Sequence, residues 1–168
     1  MRSQSAIAAI LLPLAACAAP SASGPSAPAA APTSSATPAP APAGKTLIHD
    51  RAAAQRLLGA EDVTLQWISW DRRGSFRAWD DDGTIRVSGA QDQQGGPGRL
   101  ALSGVVREIG ADYFVLDGTI SITDTPDIGR QCTANKQWRF AITQNRAYWR
   151  LREFEWCDGL TDYVDIYF

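Results

Sequence analysis

"CTANKQWRFAITQNRAYWRLREFEWC", residues 132–157, alternates apolar and polar positions on either side of Gln144-Asn145. A reversal there makes the stretch a β-hairpin, and the register can be read from the residues themselves. Trp138 then faces Leu151, Phe140 faces Trp149 and Ile142 faces Ala147, all on one side, as a buried face requires. The same register sets Lys136 against Glu153, an opposite-charge pair, and Cys132 against Cys157. Cysteines side by side in an exported protein oxidise to a disulfide, worth about 3 kcal/mol in the chain-entropy account. Four features select one register, which makes the stretch scaffold before anything else.

Its other side carries Tyr148, Arg150 and Arg152, with Arg139 across from Arg150. Like charges opposed across a ladder need an offsetting partner. Asp165, on one face of the next strand with Tyr163 and Tyr167, is the candidate. Beyond Arg152 the polarity inverts: Glu153 and Glu155 fall on the apolar side, Phe154 and Trp156 on the polar side. A bulge would explain this but would break the register. A strand running past the end of the core, with the cysteine bridge at the rim, is the preferred reading.

Upstream, the period remains two. "VTLQWISW" from Val63 sets Leu65 and Trp67 on one face, Ile68 and Trp70 on the other. "GSFRAWDDDGTIRVSG" turns at Asp82-Gly83 as a hairpin. "GRLALSGVV" brings Leu100, Leu102 and Val106 together, and "YFVLDGTISIT" aligns Phe114, Leu116, Ile120 and Ile122. With the hairpin above and the closing "DYVDIYF", this makes about eight strands joined mainly by short turns. The fold class is mainly all-β: an antiparallel meander forming a small lipocalin-like barrel or curled sheet. One short N-terminal helix precedes it, "HDRAAAQRLLG", with Asp50 as N-cap and Gly59 as a left-handed stop.

Residues 1–16 read as an export leader: Arg2, then a short apolar run closing on "LAAC", Leu14 to Cys17. The motif resembles the lipobox of bacterial lipoproteins, which implies lipidation of Cys17 (palmitate among the acyl chains) and a membrane anchor. Ala18, rather than Asp, implies the outer membrane. The alternative is an ordinary secretory leader that leaves Cys17 a free thiol. From residue 17 to 44 the chain is nearly all Ala, Pro, Ser and Thr, without apolar period or charge. Such a segment is a tether, unable to offset its ordering entropy by burial. Residues 45–168 form one domain with its own core, facing the periplasm on this reading.

Charge and composition narrow the chemistry. The chain of 168 residues has a formal net charge of -2, with the charges dispersed, so no nucleic-acid stripe is present. The sole histidine, His49, flanks the helix start. With both domain cysteines paired, zinc and haem lack their usual ligands and a Ser-His-Asp or Cys-His centre lacks its parts. No metal, cofactor or catalytic residue is assigned. "DDDG" at Asp80 to Gly83 is a turn without EF-hand spacing. "QGGPG" at Gln94 to Gly98 is a loop without phosphate-cradle residues.

Two candidate surfaces remain. One is an anion or partner face of Arg139, Tyr148, Arg150, Arg152 and Asp165, against the plainer reading of a salt-bridged, solvated sheet face. The other is an aromatic surface of Trp70, Trp79 and Trp156, while Trp138 and Trp149 are core. "CxxxxxWRFAITQxRxYWRLREFEWCDGLTDYVDIYF", Cys132 to Phe168, resembles the ending of a family of small uncharacterised proteobacterial envelope proteins, and implies that this stretch is one unit. The expected role is a non-catalytic, outer-membrane-anchored domain that binds a small apolar ligand in its barrel or serves the envelope structurally. One alternative is a protein or peptidoglycan contact through the Arg/Tyr face. Another is a glycan-acting enzyme using Glu153 with Glu155, or Asp162 with Asp165.

Overall fold

In the computed structural model, which describes residues 44–168, the alternating runs become a closed antiparallel barrel. A two-residue strand, β1 (Leu47–Ile48), and one helix, α1 (Arg51–Leu58), come first. The barrel strands follow in chain order: β2 (Asp62–Leu65), β3 (Gly74–Asp81), β4 (Thr84–Asp92), β5 (Arg99–Ile109), β6 (Tyr113–Thr123), β7 (Gln131–Ala141), β8 (Tyr148–Leu151) and β9 (Val164–Tyr167). Each pairs with its successor, and β9 returns to β2 through Val63–Ile166 and Leu65–Val164. Closure leaves the sheet no long exposed edge. β1 lies outside this ring, parallel to β5 at Glu108 and Ile109.

Period-two burial drives the closure. Along β6, Phe114, Leu116, Ile120 and Ile122 point inward and are fully buried. Trp138, Phe140, Trp149, Leu151, Val164 and Ile166 complete the inner wall from β7, β8 and β9. Phe114 stacks on Phe140 at 4.9 Å between centroids and meets the edge of Trp149 at 5.7 Å. Gly104 and Gly118 face each other across β5 and β6, and a Cβ on Gly118 would sit 2.1 Å from Ser103 O. The two backbones themselves fill that space, and Trp138 Nε1 donates to Gly118 O at 2.9 Å.

α1 forms as its cap and apolar residues dictate. The Asp50 carboxylate accepts from Ala53 N at 2.7 Å, and Ala53, Ala54 and Leu57 are buried. The helix ends without a left-handed residue: Gly59 has φ -94, and its N–H reaches back to Gln55 O at 3.0 Å. The Asp82-Gly83 hairpin forms as read, with φ of 50 and 83 at the two turn residues.

Three further local expectations are corrected. β2 stops at Leu65, because Ile68 N and Ser69 N both bond Leu65 O and curl the chain out of the sheet. Buried Gln91 of β4 supports the curl, accepting from Leu65 N and donating to Ser69 O and Arg72 O. The β7–β8 pairing is shifted by two residues: Phe140 faces Leu151, and Ala141 faces Arg150. The loop is wider than a two-residue turn, with Gln144 and Asn145 both at positive φ and Ile142 N bonded to Asp112 O instead of across the hairpin. A shift of two keeps every side chain on its face. Finally, the polarity inversion after Arg152 marks neither a bulge nor a longer strand. β8 ends at Leu151, and residues 152–163 form a loop before β9.

The disulfide forms all the same: Cys132 and Cys157 are joined, with their Cα atoms 6.0 Å apart. It ties the start of β7 to this loop, not to a facing strand.

Candidate functional site

Antiparallel order puts the loops 66–73, 124–130 and 152–163 at one end of the barrel, and a buried arginine joins them. Arg130 forks onto Asp158 through Nε and Nη2 at 2.8 and 2.9 Å, and onto Asp162 through Nη1 and Nη2 at 2.9 Å each. Nη1 also donates to Thr125 O at 3.1 Å. Trp67 Nε1 donates to Asp162 at 3.0 Å, and Gln66 Nε2 to Thr161 O at 2.6 Å. These contacts hold the Arg130 guanidinium above its usual range, Asp158 contributing most, and Arg130 in turn pulls the Asp158 carboxyl below its own. Asp158 Oδ2 lies 3.7 Å from Cys132 Sγ, so clamp and disulfide are one assembly. Among the described residues, Cys132, Cys157 and Asp158 have the spacing of a metal group, but the two sulfurs are bonded to each other.

The clamp positions a hollow on the outer wall of β8 and β9. Tyr148 and Arg150 project outward from β8, because Trp149 and Leu151 face the core. Asp165 and Tyr167 project outward from β9 by the same alternation, with Tyr163 just before the strand. Gln66 and Trp70 come from the loop that the clamp secures. With Arg146 these residues line an open space of about 450 Å³.

At its floor, Arg150 forks onto Asp165 with both contacts at 2.7 Å. Rings surround the guanidinium: its carbon lies 4.1 Å from the Tyr163 centroid, 5.3 Å from Tyr148 and 5.6 Å from Trp70. The fork keeps Arg150 charged, above its ordinary range. Burial pushes the Asp165 carboxyl up, and Arg150 opposes that push. Tyr167 is also raised by burial, while its hydroxyl lies 3.2 Å from Thr64 Oγ1.

The structure therefore brings Tyr148, Arg150 and Asp165 together and separates the other expected members. Arg139 stacks over Tyr113 at 4.0 Å. Arg152, whose N–H donates to Arg139 O at 2.8 Å, lies near Phe154 and lines a second hollow with Lys136, Glu153, Phe154, Glu155 and Trp156. Of the three tryptophans, Trp70 joins the Arg150 hollow. Trp79 is exposed on β3 beside Arg77, and Trp156 packs edge-on against Trp138 at 5.0 Å. His49 stays at the surface, 3.6 Å from Glu108. Cys17 lies outside the described residues.

Sequence reasoning missed Arg130, Asp158, Gln66 and Arg146. A signal existed for two of them: Arg130 lies two positions before Cys132, and Asp158 directly follows Cys157. Bringing the cysteines together also brings these two charges together.

Residues 45–168 match the PM1083 family. A curated relative, "Uncharacterized protein PM1083" of Pasteurella multocida (strain Pm70), is 33% identical over 115 residues, covering 67% of this chain and 74% of its own. No solved structure matches this chain. The family match spans the whole barrel, including the disulfide, the arginine clamp and the Arg150 hollow: the chain belongs to the PM1083 family.

Proposed function

We propose that this protein is an outer-membrane lipoprotein whose periplasmic barrel is a non-catalytic contact module, holding peptidoglycan through the Arg150 hollow. The anchor rests on the "LAAC" leader ending at Cys17 and the Ala/Pro/Ser-rich tether after it. One observation supports the contact role most: Tyr148, Tyr163 and the exposed indole of Trp70 gather around Arg150 on the outer wall, with Tyr167 lining the same hollow. Flat aromatic faces suit sugar rings, and the polar groups beside them supply orientation.

The readings that place function elsewhere have less support. The lumen is packed with Trp138, Trp149, Phe114 and Phe140, all fully buried, which disfavours an apolar ligand held inside. Asp162 and Asp165 each face an arginine fork, and Glu153 is paired with Lys136. A general acid or base needs a free oxygen aimed at substrate; both oxygens of Asp162 and Asp165 are engaged by arginine, while Glu153 shares Oε2 with Lys136 and Glu155 is exposed on the same loop.

Co-sedimentation with purified sacculi tests the reading. The protein is expected in the pellet, and Trp70→Ala is expected to lower the pelleted fraction several-fold without changing Tm, since the indole is 41% exposed. Failure of the unmutated protein to pellet overturns the proposal.

A further inference from the structure

An aromatic cage ordinarily selects a cation, and here that place is already taken. The cation among Tyr163, Tyr148 and Trp70 is the protein's own Arg150. The charges left over decide the sign of the occupant. Both Asp165 oxygens accept from Arg150, and its side chain is 1% exposed, so no carboxylate of the hollow faces outward. Arg150 spends Nε and Nη2 on that fork, while Nη1 has no hydrogen-bond partner among the described residues. Arg146, 5.6 Å over the Tyr148 ring, has no ion-pair partner among them either. The hollow thus offers unspent guanidinium donors beside flat rings, and no unspent acid.

We infer that the hollow recognises a sugar ring with a free carboxylate of the attached peptide stem beside it, the carboxylate on Arg146 and Arg150 Nη1 and the ring against Trp70. This rests on the contact reading above and names its chemistry. Guanidinium donors match a carboxylate by geometry and charge. One full unpaired cation suits a singly charged group better than a doubly charged phosphate monoester; the singly charged phosphodiester of a lipid headgroup is the competitor that the vesicle arm tests. An amine or quaternary ammonium would meet Arg150 head-on.

The test uses the full-length Cys17→Ser chain, so that no acyl chain contributes to binding. Its probes are native sacculi, sacculi with carboxyls amidated, and phosphatidylglycerol vesicles. Amidation is expected to weaken binding about tenfold, the scale of a lost charge-assisted contact. Arg146→Gln should cause the same loss on native sacculi and none further on amidated ones, while Arg146→Lys restores part of it.

Equal binding to native and amidated sacculi overturns the carboxylate assignment and leaves the contact module standing. Vesicle binding tighter than sacculus binding and sensitive to Arg146→Gln also overturns it, in favour of a phosphate headgroup. No binding to native sacculi removes the contact reading, and this inference with it.

Discussion

Arg130 spends all five N–H donors inside the protein, four on two aspartates and one on a backbone carbonyl. A planar fork has the geometry for that, and lysine does not. The pH dependence follows from Asp158. Its carboxyl is held below the usual 3.8, so the pair stabilises the fold above that value and the contribution is lost as pH falls through the lowered one. Asp158→Asn is therefore expected to lower Tm by a few degrees near neutrality, and the gap between variant and parent should narrow below about pH 4. Thermal melts of both proteins across pH 3–7 check this; a gap that stays constant contradicts it. Arg150 and Asp165 were legible as partners, since alternation puts both on the outward faces of successive strands. Arg146 was not, because turn geometry and not strand period aims its side chain.

At the scale of elements, β7 and β8 show what a two-residue period decides and what it leaves open. Facing side chains make a register odd or even, because a slip of one turns the apolar row outward. A slip of two costs no burial, and the loop then chooses. Here a wider loop with two left-handed residues moves Arg150 opposite Ala141, away from Arg139. The disulfide tolerates this because Cys157 sits in a loop that can reach Cys132. A bridge spanning 25 residues is worth the same ~3 kcal/mol in the chain-entropy account. Cys132→Ser or Cys157→Ser should lower Tm under oxidising conditions and leave it equal to that of the reduced parent. Melts with and without reductant are the measurement, and an unchanged oxidised value would count against a stabilising bridge.

At the scale of the molecule, the two ends of the barrel are closed by different means. α1 packs Ala53, Ala54 and Leu57 into the core near the β5–β6 turn, where Arg56 Nη2 donates to Ala111 O at 2.8 Å. The opposite end relies on charge, hydrogen bonds and one covalent link. The lumen is packed, and the proposed contact surface lies on the outer wall. The lipid anchor proposed at Cys17 acts on the molecule as a whole. Cys17→Ser is expected to move the protein from the membrane fraction to the soluble periplasmic fraction on cell fractionation, and retention in the membrane would overturn it.

About eight strands in a meander, the inward residues Phe114, Leu116, Ile120, Ile122, Trp138, Phe140, Trp149 and Leu151, the Asp50 N-cap and the union of Cys132 with Cys157 were all legible in the sequence alone. Each follows from local period, turn chemistry or the pairing of like residues, which neighbouring positions carry. Only the tertiary structure decided the barrel closure through β9 and β2, the slip of two at β8, the Arg130 clamp and the membership of the Arg150 hollow. These depend on loops, whose path is set by which distant polar groups they must satisfy once buried, as Gln91 does for Leu65, Ser69 and Arg72. No period in the chain records that requirement.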